Sequence, residues 1–388
     1  MNKFLIVLIL VSNISEAQNI NMPSTVTVAE ISSDSYLGYN NANLICYDKN
    51  GNGYIAYTNK KSVNILFNKK DSEKWEYYYK YNGNGIGLPA INILNDTLVC
   101  VVWTEKIDDA KNEIKLLYFS TETDTVKYIF TLPTIFNSIA PSFATGDKKI
   151  YVTWCETNFQ DTVIKFSAFN IMTNLFSEPE DLSIIGIKSD CPGINSSGEN
   201  VFVCWRDSKL GENQKIYTRV STNGGKNWGD ITLASHIDEF DLIDPVISYS
   251  KNYQTETGVL YLSYFGNNKI FLQKSYDLGK TWSSEVIVSN NGAFPRIANN
   301  DSGFVLISFE YLKTPENPNV FIDSLKDVGL AYSFDNSNTF SDDTLARTFE
   351  NAGNVLGSVY KITENEFVLI WLSKLKTHNK INLSKIYF

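Results

Sequence analysis

Apolar strands that each end in an aromatic residue recur along the whole chain, and this recurrence constrains the fold more than any other feature. The strands are GYIAY, VCVVW, IYVTW, VFVCW, LYLSY, VLISF and FVLIW, which end at Tyr57, Trp103, Trp154, Trp205, Tyr264, Phe309 and Trp371. The seven ends lie 45 to 62 residues apart. A period near fifty residues is typical of architectures in which every repeat is one supersecondary unit.

Each of these strands is preceded by a second strand and followed by two more. In five repeats a proline opens the preceding strand, as in PAINI, PSFAT, PGINS, PVISY and PRIAN. Polar turns such as DKNGNG and SSGEN join the two strands and are typical of hairpins. Four antiparallel strands per repeat predict an all-β propeller with seven blades. Six blades with an irregular tail is the alternative.

The two ends of the chain complement each other. The last repeat, from about Val355 to Phe388, has room for three strands only, whereas STVTVAEIS at 24–32 resembles the outer strands DITLAS and EVIVS. We therefore predict that the N-terminal strand completes the C-terminal blade. This arrangement closes the ring and covers two open strand edges.

The first residues predict export. Lys3 precedes an apolar run from Phe4 to Val11, which is too short to span a bilayer, and Ser15 and Ala17 are small residues typical of a cleavage site. We expect a signal peptide at 1–17, one propeller domain at 18–388, and a secreted, periplasmic or extracellular protein without membrane insertion.

Composition excludes several functions. The net charge is −9 and the chain has four arginines, which argues against a nucleic-acid partner. Two histidines and the lack of a CxxC pair argue against structural zinc, and we expect neither a metal nor a cofactor. Five cysteines are too few for a disulfide scaffold. We expect a monomer.

Two octets, STNGGKNW at 221–228 and SYDLGKTW at 275–282, fall between the third and fourth strands of their repeats, and SFDNSNTF at 333–340 is a weaker copy. Asp or Asn in such a turn accepts hydrogen bonds from backbone amides, and Gly permits a positive φ. The aromatic residue buries itself between strands. These requirements predict turns that stabilise each blade rather than a ligand site used twice.

The octets resemble the Asp-box, or bacterial neuraminidase repeat, S-x-D-x-G-x-T-W. Asn223 replaces the aspartate in one copy and Ser337 replaces the glycine in another. The matching residues are Ser221, Asn223, Gly225, Trp228, Ser275, Asp277, Gly279, Trp282, Ser333, Asp335 and Phe340. Nearly the whole exported chain thus resembles the sialidase superfamily of propellers. The resemblance implies the fold, but this fold hosts enzymes and binding modules alike.

The catalytic pattern of the family is not matched. Sialidases of this superfamily hold the substrate carboxylate with three arginines and use a tyrosine nucleophile partnered by a glutamate, with an aspartate as acid/base. The first arginine usually lies in F-R-I-P in the first blade, where this chain has none, and FPRI at 294–297 is permuted and lies in blade 6. We place Arg219 on a third strand, at the surface of its blade, and Arg347 on an outer strand. Arg206 and Arg296 remain as candidate pocket arginines.

The resemblance implies that ligands bind at the mouth opposite the Asp-box turns. Charged residues end several second strands there, and they form a ligand rim, a carboxylate pair for glycoside hydrolysis, or ordinary solvated strand ends: Glu105, Glu156, Arg206, Asp207 and Glu310. Arg296 replaces small residues found at the same position of other inner strands, so we expect it to reach the central channel. There it binds a ligand anion or pairs with a carboxylate.

Two further features belong to this mouth. The segment Leu312–Val328 is the longest loop and is positioned to cover it. Cys155 and Cys191 lie near it in adjacent blades, and their spacing leaves a disulfide open. We predict an exported propeller that binds a glycan or another cell-surface ligand here. An exo-sialidase or other glycoside hydrolase, and a protein-interaction or adhesion propeller, are the alternatives, so enzymatic activity stays undecided.

Overall fold

The computed structural model describes residues 19–38, 42–123, 127–157, 161–251, 255–313, 322–341, 344–345 and 352–388. Seven antiparallel sheets form the chain, which confirms the seven-bladed propeller over the six-bladed alternative. Within the described ranges there is no α-helix, and a single 3-10 turn spans Asp323–Leu325. The predicted signal peptide at 1–17 lies outside the described residues.

The strands follow one another blade by blade, except that β1 (Thr25–Ser32) belongs to the last blade. Blades 1 to 3 contain β2 (Ile45–Tyr47), β3 (Gly53–Asn59), β4 (Ser62–Asn68), β5 (Glu76–Asn82), β6 (Ala90–Leu94), β7 (Leu98–Lys106), β8 (Asn112–Ser120), β9 (Lys127–Thr131), β10 (Asn137–Thr145), β11 (Lys149–Thr157), β12 (Thr162–Asn170), β13 (Leu175–Phe176) and β14 (Glu180–Asp181). In blade 3 both β13 and β14 pair with β12.

Blades 4 to 7 repeat the pattern. They contain β15 (Lys188–Ser197), β16 (Asn200–Ser208), β17 (Lys215–Ser221), β18 (Thr232–Leu233), β19 (Ile243–Ser250), β20 (Val259–Gly266), β21 (Lys269–Ser275), β22 (Val286–Ser289), β23 (Gly292–Asn299), β24 (Val305–Leu312), β25 (Lys326–Ser333), β26 (Thr344–Leu345), β27 (Gly353–Lys361), β28 (Glu366–Lys374) and β29 (His378–Tyr387).

The N-terminal strand closes the ring as the sequence predicts. Blade 7 has the order β1-β29-β28-β27, and β1 runs antiparallel to β29 from the pair Thr25–Ser384 to the pair Ser32–His378. Val28 and Ile31 of β1 are buried in one apolar cluster with residues of blades 7 and 1. The buried side chains of β1 therefore pack the N-terminal strand against blades 7 and 1, where the two ends of the chain meet and the ring closes.

The aromatic residues near the ends of the second strands lie in the junctions between blades, and each strand continues for two or three residues beyond its aromatic residue. Trp103, Trp154, Trp205 and Trp371 are fully buried. Each packs against the preceding blade, as in the contact of Trp103 with Tyr81 of blade 1 at 5.1 Å between ring centroids. Replacing such a ring by alanine costs roughly 3–5 kcal/mol. This explains why an aromatic residue lies near the end of each repeated strand.

Five inner strands share a β-bulge, and it corrects one sequence expectation. The prolines of blades 3 to 6 do not open their strands but lie inside them, where the register skips. Proline tolerates a bulge because it has no N–H to pair. The residue before each proline, and Leu356 before Gly357 in blade 7, has a positive φ; the five residues are Ala140, Cys191, Asp244, Phe294 and Leu356.

The strand order defines two faces of the ring. The turn face carries the hairpins between first and second strands and the turns between third and fourth strands. The mouth face carries the loops between second and third strands and the connections from one blade to the next. The bulges lie at the mouth face, since each occurs near the start of an inner strand.

The octet turns are held by their own side chains. In blade 5, Asp277 Oδ1 accepts hydrogen bonds from Ser275 Oγ at 2.8 Å and from the Thr281 amide at 2.9 Å, and Asp277 Oδ2 accepts one from Thr281 Oγ1 at 2.7 Å. Trp282 is 9% exposed, and its Nε1 donates to Thr218 Oγ1 of blade 4 at 3.2 Å. These contacts favour the structural role that the sequence predicts.

Candidate functional site at the channel mouth

The acidic strand ends at the mouth are buried. Glu105, Glu156, Asp207 and Glu310 are 8%, 5%, 5% and 3% exposed. The interpretation of these residues as solvated strand ends is therefore wrong. Whether the four carboxylates form one ligand rim depends on which residues each of them bonds to.

Three of them face the junction with the preceding blade. Glu105, Glu156 and Asp207 each follow a buried tryptophan by two residues, and residues two apart lie on the same side of a strand. They therefore point toward the junction that the tryptophan occupies. This placement separates the three carboxylates from one another, one to a junction.

Two of these carboxylates accept hydrogen bonds from residues of their own blade junctions. Glu105 Oε2 accepts a hydrogen bond from Tyr81 OH at 2.8 Å, and its Oε1 accepts one from the Asn84 amide at 3.2 Å. Asp207 Oδ1 accepts hydrogen bonds from Ser189 Oγ at 2.6 Å and Trp205 Nε1 at 2.7 Å. Burial raises the pKa of Asp207 despite these two donors.

Glu156 has a weaker partner. Its Oε1 lies 3.6 Å from Lys165 Nζ, and that lysine lies closer, at 2.5 Å, to Asp181 of the same blade. Glu105, Glu156 and Asp207 thus belong to separate blade junctions, and the structure does not bring them together as a rim.

Arg206 and Glu310 occupy the other side of their strands. Each directly follows the aromatic residue, so each faces the next blade. Arg206 is held by Asp190, with Nε to Oδ1 at 2.6 Å and Nη2 to Oδ2 at 2.5 Å, and its Nη1 donates to Gln214 at 2.9 Å. Burial is the largest single influence and opposes its charge, but the hydrogen bonds and charge of Asp190, together with Cys191 and Asp244, raise the pKa of Arg206. The guanidinium group of Arg206 is therefore already hydrogen-bonded to residues of its own chain.

Arg296 reaches the central channel, as the sequence predicts. It is 5% exposed and lines a channel cavity of about 60 Å³. Its Nη1 donates to the Pro295 carbonyl at 3.0 Å. Burial lowers the pKa of Arg296 to about 10, and the charges of Asp244 and Glu310 oppose this shift. Arg296 is therefore charged at neutral pH, and the charges of Asp244 and Glu310 favour this state. Both roles expected for it, binding a ligand anion and pairing with a carboxylate, stay predictions.

A pocket of about 250 Å³ opens at the mouth face where blades 6, 7 and 1 meet. Glu310 lies at its base, where Oε1 accepts a hydrogen bond from the Leu356 amide at 2.9 Å and Oε2 lies 2.5 Å from Lys326 Nζ. Phe294 and Leu356, from two of the strand bulges, also line it. The bulges thus place apolar side chains beside a buried charge pair.

A chain of alternating charges crosses this pocket. Lys326 Nζ lies 3.5 Å from Asp323 Oδ1 and 4.9 Å from the centre of the Phe294 ring. Asp323 Oδ2 lies 2.5 Å from Lys374 Nζ, which in turn lies 4.7 Å from the centre of the Tyr36 ring. The side chains of Asp323 and Lys374 are 35% and 26% exposed, so this end of the chain meets solvent.

Sequence reasoning missed Tyr36, Asp323, Lys326 and Lys374. Asp323 and Lys326 lie in the long loop of blade 6, which was singled out only as a cover. Lys374 ends a second strand, where only acidic residues and Arg206 were considered. Tyr36 precedes the first inner strand, and nothing in its local sequence indicates a site. Residues 314–321 of the loop lie outside the described residues, so its role as a cover stays a prediction.

The described residues do not assemble three arginines. Arg206 is bound to Asp190 and Arg296 lies in the channel. Arg219 lies on the blade surface, where it donates to the carbonyls of Gly229 at 2.9 Å and Leu182 at 3.2 Å. Arg347 lies outside the described residues. The cations of the mouth pocket are lysines instead of arginines: Lys374 lies beside Tyr36, and Lys326 lies beside Glu310.

The cysteines do not pair. All five are free thiols, including Cys155 and Cys191. Across the described ranges no three His, Cys, Asp or Glu side chains are grouped closely enough to hold a metal ion. The same part of the chain has no helix of the length and apolarity needed to cross a membrane.

A scan against protein-family models and a search of curated proteins give no match. Solved structures do match. An ulvan lyase, described as a new family of polysaccharide lyase and bound to -[GlcA(1-4)Rha3S]-, superposes with a TM-score of 0.67 at 11% identity, covering 92% of this chain and 95% of that one. A protein of unknown function from Dyadobacter fermentans gives a TM-score of 0.56 at 12% identity, with 95% and 99% covered.

A sialidase from Trypanosoma rangeli, in complex with the inhibitor DANA, gives a TM-score of 0.52 at 9% identity. The match covers 94% of this chain and 60% of that one. At such identities these likenesses establish the propeller fold and nothing more. The fold is therefore shared with sialidase and polysaccharide lyase propellers.

Proposed function

We propose that this protein is an exported glycan-binding propeller and that the pocket between blades 6, 7 and 1 holds one sugar residue. The observation that carries the proposal is the convergence of Glu310, Lys326, Asp323 and Lys374 with two aromatic rings around one cavity. Ligand pockets are mostly apolar with a few convergent polar groups, and this pocket has that composition. Its 250 Å³ lies just below the usual range of about 300–1,000 Å³, which favours a single ring.

The charges of the pocket suit sugar hydroxyls. Two carboxylates accept hydrogen bonds and two ammonium groups donate them, and charge-assisted hydrogen bonds are the stronger kind. The pocket is neutral as a whole, so it presents donors and acceptors without repelling either a neutral sugar or a uronate. That the fold is shared with a sialidase and an ulvan lyase gives the proposal background but no direct support.

Glycoside hydrolysis is a second candidate, favoured by the carboxylate spacing. Because Lys326 Nζ lies 2.5 Å from Glu310 Oε2 and 3.5 Å from Asp323 Oδ1, the two oxygens are at most 6.0 Å apart. Retaining glycosidases place their two carboxyl groups about 5–5.5 Å apart. Burial raises the pKa of Glu310, the direction that a general acid requires. In this role Glu310 protonates the leaving oxygen and Asp323 attacks the sugar.

A glycan array read with purified protein tests the proposal. Lys374→Met removes the most exposed ammonium group of the pocket and should weaken binding about tenfold or more, the effect of losing one charge-assisted hydrogen bond. Lys280→Met, in the exposed octet turn of blade 5 on the opposite face, is the matched control and should bind as the unaltered protein does. Equal binding by both variants would overturn the proposal.

Turnover separates binding from catalysis. The glycans that bind are incubated with the protein, and new reducing ends are measured. If Asp323→Asn abolishes the release of reducing ends while binding persists, the protein is a hydrolase. Release that produces an unsaturated uronate would indicate elimination instead, as the name of the ulvan lyase implies for that protein. Binding without release leaves the protein as a binding module.

A further inference from the structure

A second and larger cleft lies on the turn face, far along the blades from the mouth. It has a volume of about 780 Å³ and lies between blade 7 and blade 1, where the ring closes. One wall consists of the hairpin and the third-to-fourth-strand turn of blade 1. The other wall consists of the hairpin of blade 7 with parts of β29 and β1.

The other junctions with comparable turns are closed by an aromatic residue. Trp282 of blade 5 is nearly buried and bonds to Thr218 of blade 4. Trp228 of blade 4 packs edge-on against Phe166 of blade 3, with ring centroids 4.9 Å apart. Trp75 ends the corresponding turn of blade 1, but it lines the cleft. Trp75 packs against the cluster that joins blades 7 and 1, as Trp228 packs against the cluster of blades 3 and 4, and Trp75 in addition lines the cleft.

The floor of the cleft is aromatic because Gly53 has no side chain. A Cβ at Gly53 would lie 2.9 Å from Cη2 of Trp75 and 3.1 Å from Cε1 of Tyr47. Both rings therefore lie close to the backbone of β3 at Gly53, and both line the cleft. Tyr47 also packs against Tyr360, another residue of the lining, with ring centroids 6.3 Å apart.

The wall formed by blade 1 is preorganised. Asp48 Oδ1 accepts hydrogen bonds from the amides of Asn50 and Asn52, both at 2.9 Å, which fixes the hairpin. The Asn52 side chain then accepts a hydrogen bond from the Lys70 amide at 3.0 Å, which ties the hairpin to the neighbouring turn. A ligand therefore meets a fixed surface and loses little affinity to ordering it.

The charges around the cleft are largely compensated. Lys385 Nζ lies 2.8 Å from Glu366, and Lys49 pairs with Glu122. Lys361, on the blade 7 wall, lies 2.7 Å from Glu364. The signs of the charges in the lining nearly balance, with five carboxylates and four lysines: Asp48, Asp71, Glu73, Asp96, Glu366, Lys49, Lys70, Lys361 and Lys385. The cleft therefore has no strong preference for an anion. Aromatic faces beside balanced charges and polar groups suit an uncharged molecule that has both apolar faces and hydroxyls.

We propose that this cleft binds a short neutral oligosaccharide, in addition to and independently of the site at the mouth. The C–H face of a pyranose stacks on Trp75 and Tyr47, and ring hydroxyls bond to Ser72, Asn50 and Thr363 along the walls. At 780 Å³ the cleft falls within the usual range for ligand sites and has room for several sugar rings. The mouth pocket has room for one.

Titration calorimetry with five neutral hexasaccharides tests this site: cellohexaose, xylohexaose, mannohexaose, maltohexaose and chitohexaose. At least one should bind to the unaltered protein. Trp75→Ala should weaken that binding tenfold or more, whereas Trp75→Phe, which keeps a ring, should weaken it less. Val26→Trp places a large side chain in the cleft from an exposed position of β1, so it blocks the site without removing a packed residue.

Two controls separate this site from folding and from the mouth. Trp228→Ala removes the equivalent turn aromatic from a closed junction and should leave hexasaccharide binding unchanged. Lys374→Met alters the mouth and should also leave it unchanged, so the two sites fail independently. If none of the five sugars binds, or if binding survives both Trp75→Ala and Val26→Trp, the proposal is overturned.

Discussion

Lys326 Nζ lies 2.5 Å from Glu310 Oε2, and both side chains are only 4% exposed. Burial raises the pKa of Glu310, while the charge and hydrogen bond of Lys326 and the Leu356 amide oppose the rise. Burial prevails, since taking a carboxylate out of water costs more than one partner returns. The Glu310–Lys326 pair at the base of the candidate site therefore lowers the free energy of unfolding, and this loss of stability grows as the pH rises.

The pH dependence of Glu310→Gln measures this cost. Between the ordinary pKa of a glutamate, about 4.3, and the raised folded value, the folded protein binds more protons than the unfolded chain. The contribution of Glu310 to stability is therefore present at low pH and is lost as the pH rises through the folded pKa. Relative to the unaltered protein, Glu310→Gln should gain stability from about pH 4 to pH 7 in urea unfolding.

Glu105→Gln is the matched control, because Glu105 is buried at an equivalent strand end but accepts hydrogen bonds from Tyr81 and Asn84 and has no lysine partner. It reports the effect of replacing a buried, hydrogen-bonded glutamate that has no lysine partner. A Glu310→Gln variant that loses relative stability as the pH rises would show that Lys326 outweighs burial.

The octet turn of blade 5 predicts an ordered series of substitutions. Asp277→Ala removes the acceptors of three hydrogen bonds and should cost about 1 kcal/mol, as loss of a comparable side-chain cap does. Asp277→Asn keeps the Oδ1 acceptor and loses only the bond from Thr281 Oγ1, so it should cost less. Thermal unfolding of the two variants checks this order.

Blade 4 supplies the control for this series. Asn223 accepts a hydrogen bond from the Asn227 amide at 2.9 Å, and no hydroxyl stands where Thr281 stands in blade 5. Asn223→Asp should therefore change the unfolding temperature little. Equal costs for Asp277→Ala and Asp277→Asn would mean that the carboxylate does not hold the turn through Oδ1.

The sequence predicted what depends on local alternation. Strand periodicity gave seven blades, and the spare strand at 24–32 gave the closure by β1, because both rest on patterns within a few residues. The sequence also shows that Glu105 lies two residues after its tryptophan, whereas Glu310 directly follows its phenylalanine. This difference of one residue decides which neighbouring blade each carboxylate faces.

The composition of the candidate site was not predictable in the same way. Tyr36 and Lys374 meet across the closure of the ring, between segments more than three hundred residues apart. Lys326 finds Glu310 only because β24 and β25 pair in one register, and the bulge at Phe294 turns an apolar ring toward them. Contacts of this kind arise from strand pairing within a blade and from packing between blades, which no local pattern specifies.

Closure of the ring by β1 makes its buried face critical for stability. Ile31 is 7% exposed in the cluster that joins blades 7 and 1, whereas Val26 on the same strand is 39% exposed. Ile31→Ala should destabilise the protein by about 2–5 kcal/mol, whereas Val26→Ala should stay within about 0.5 kcal/mol. Urea unfolding measures both. A small effect of Ile31→Ala would show that the ring is stable without tight packing of its closing strand.

The five buried or half-buried thiols give the last prediction. Burial raises the pKa of Cys155 to about 12, with Asp190 adding to the rise, and burial likewise raises the pKa of Cys191, with Asp244 adding to it. A thiol with a raised pKa holds little of the reactive thiolate at neutral pH. The native protein should therefore react slowly with Ellman's reagent, and the unfolded protein should release five equivalents without prior reduction. Three equivalents would reveal a disulfide, for which Cys155 and Cys191, on β11 and β15 of adjacent blades, are the pair to examine first by peptide mass mapping. Five equivalents would agree with the five free thiols of the structure, in which packing between blades and the pairing of β1 with β29 close the ring.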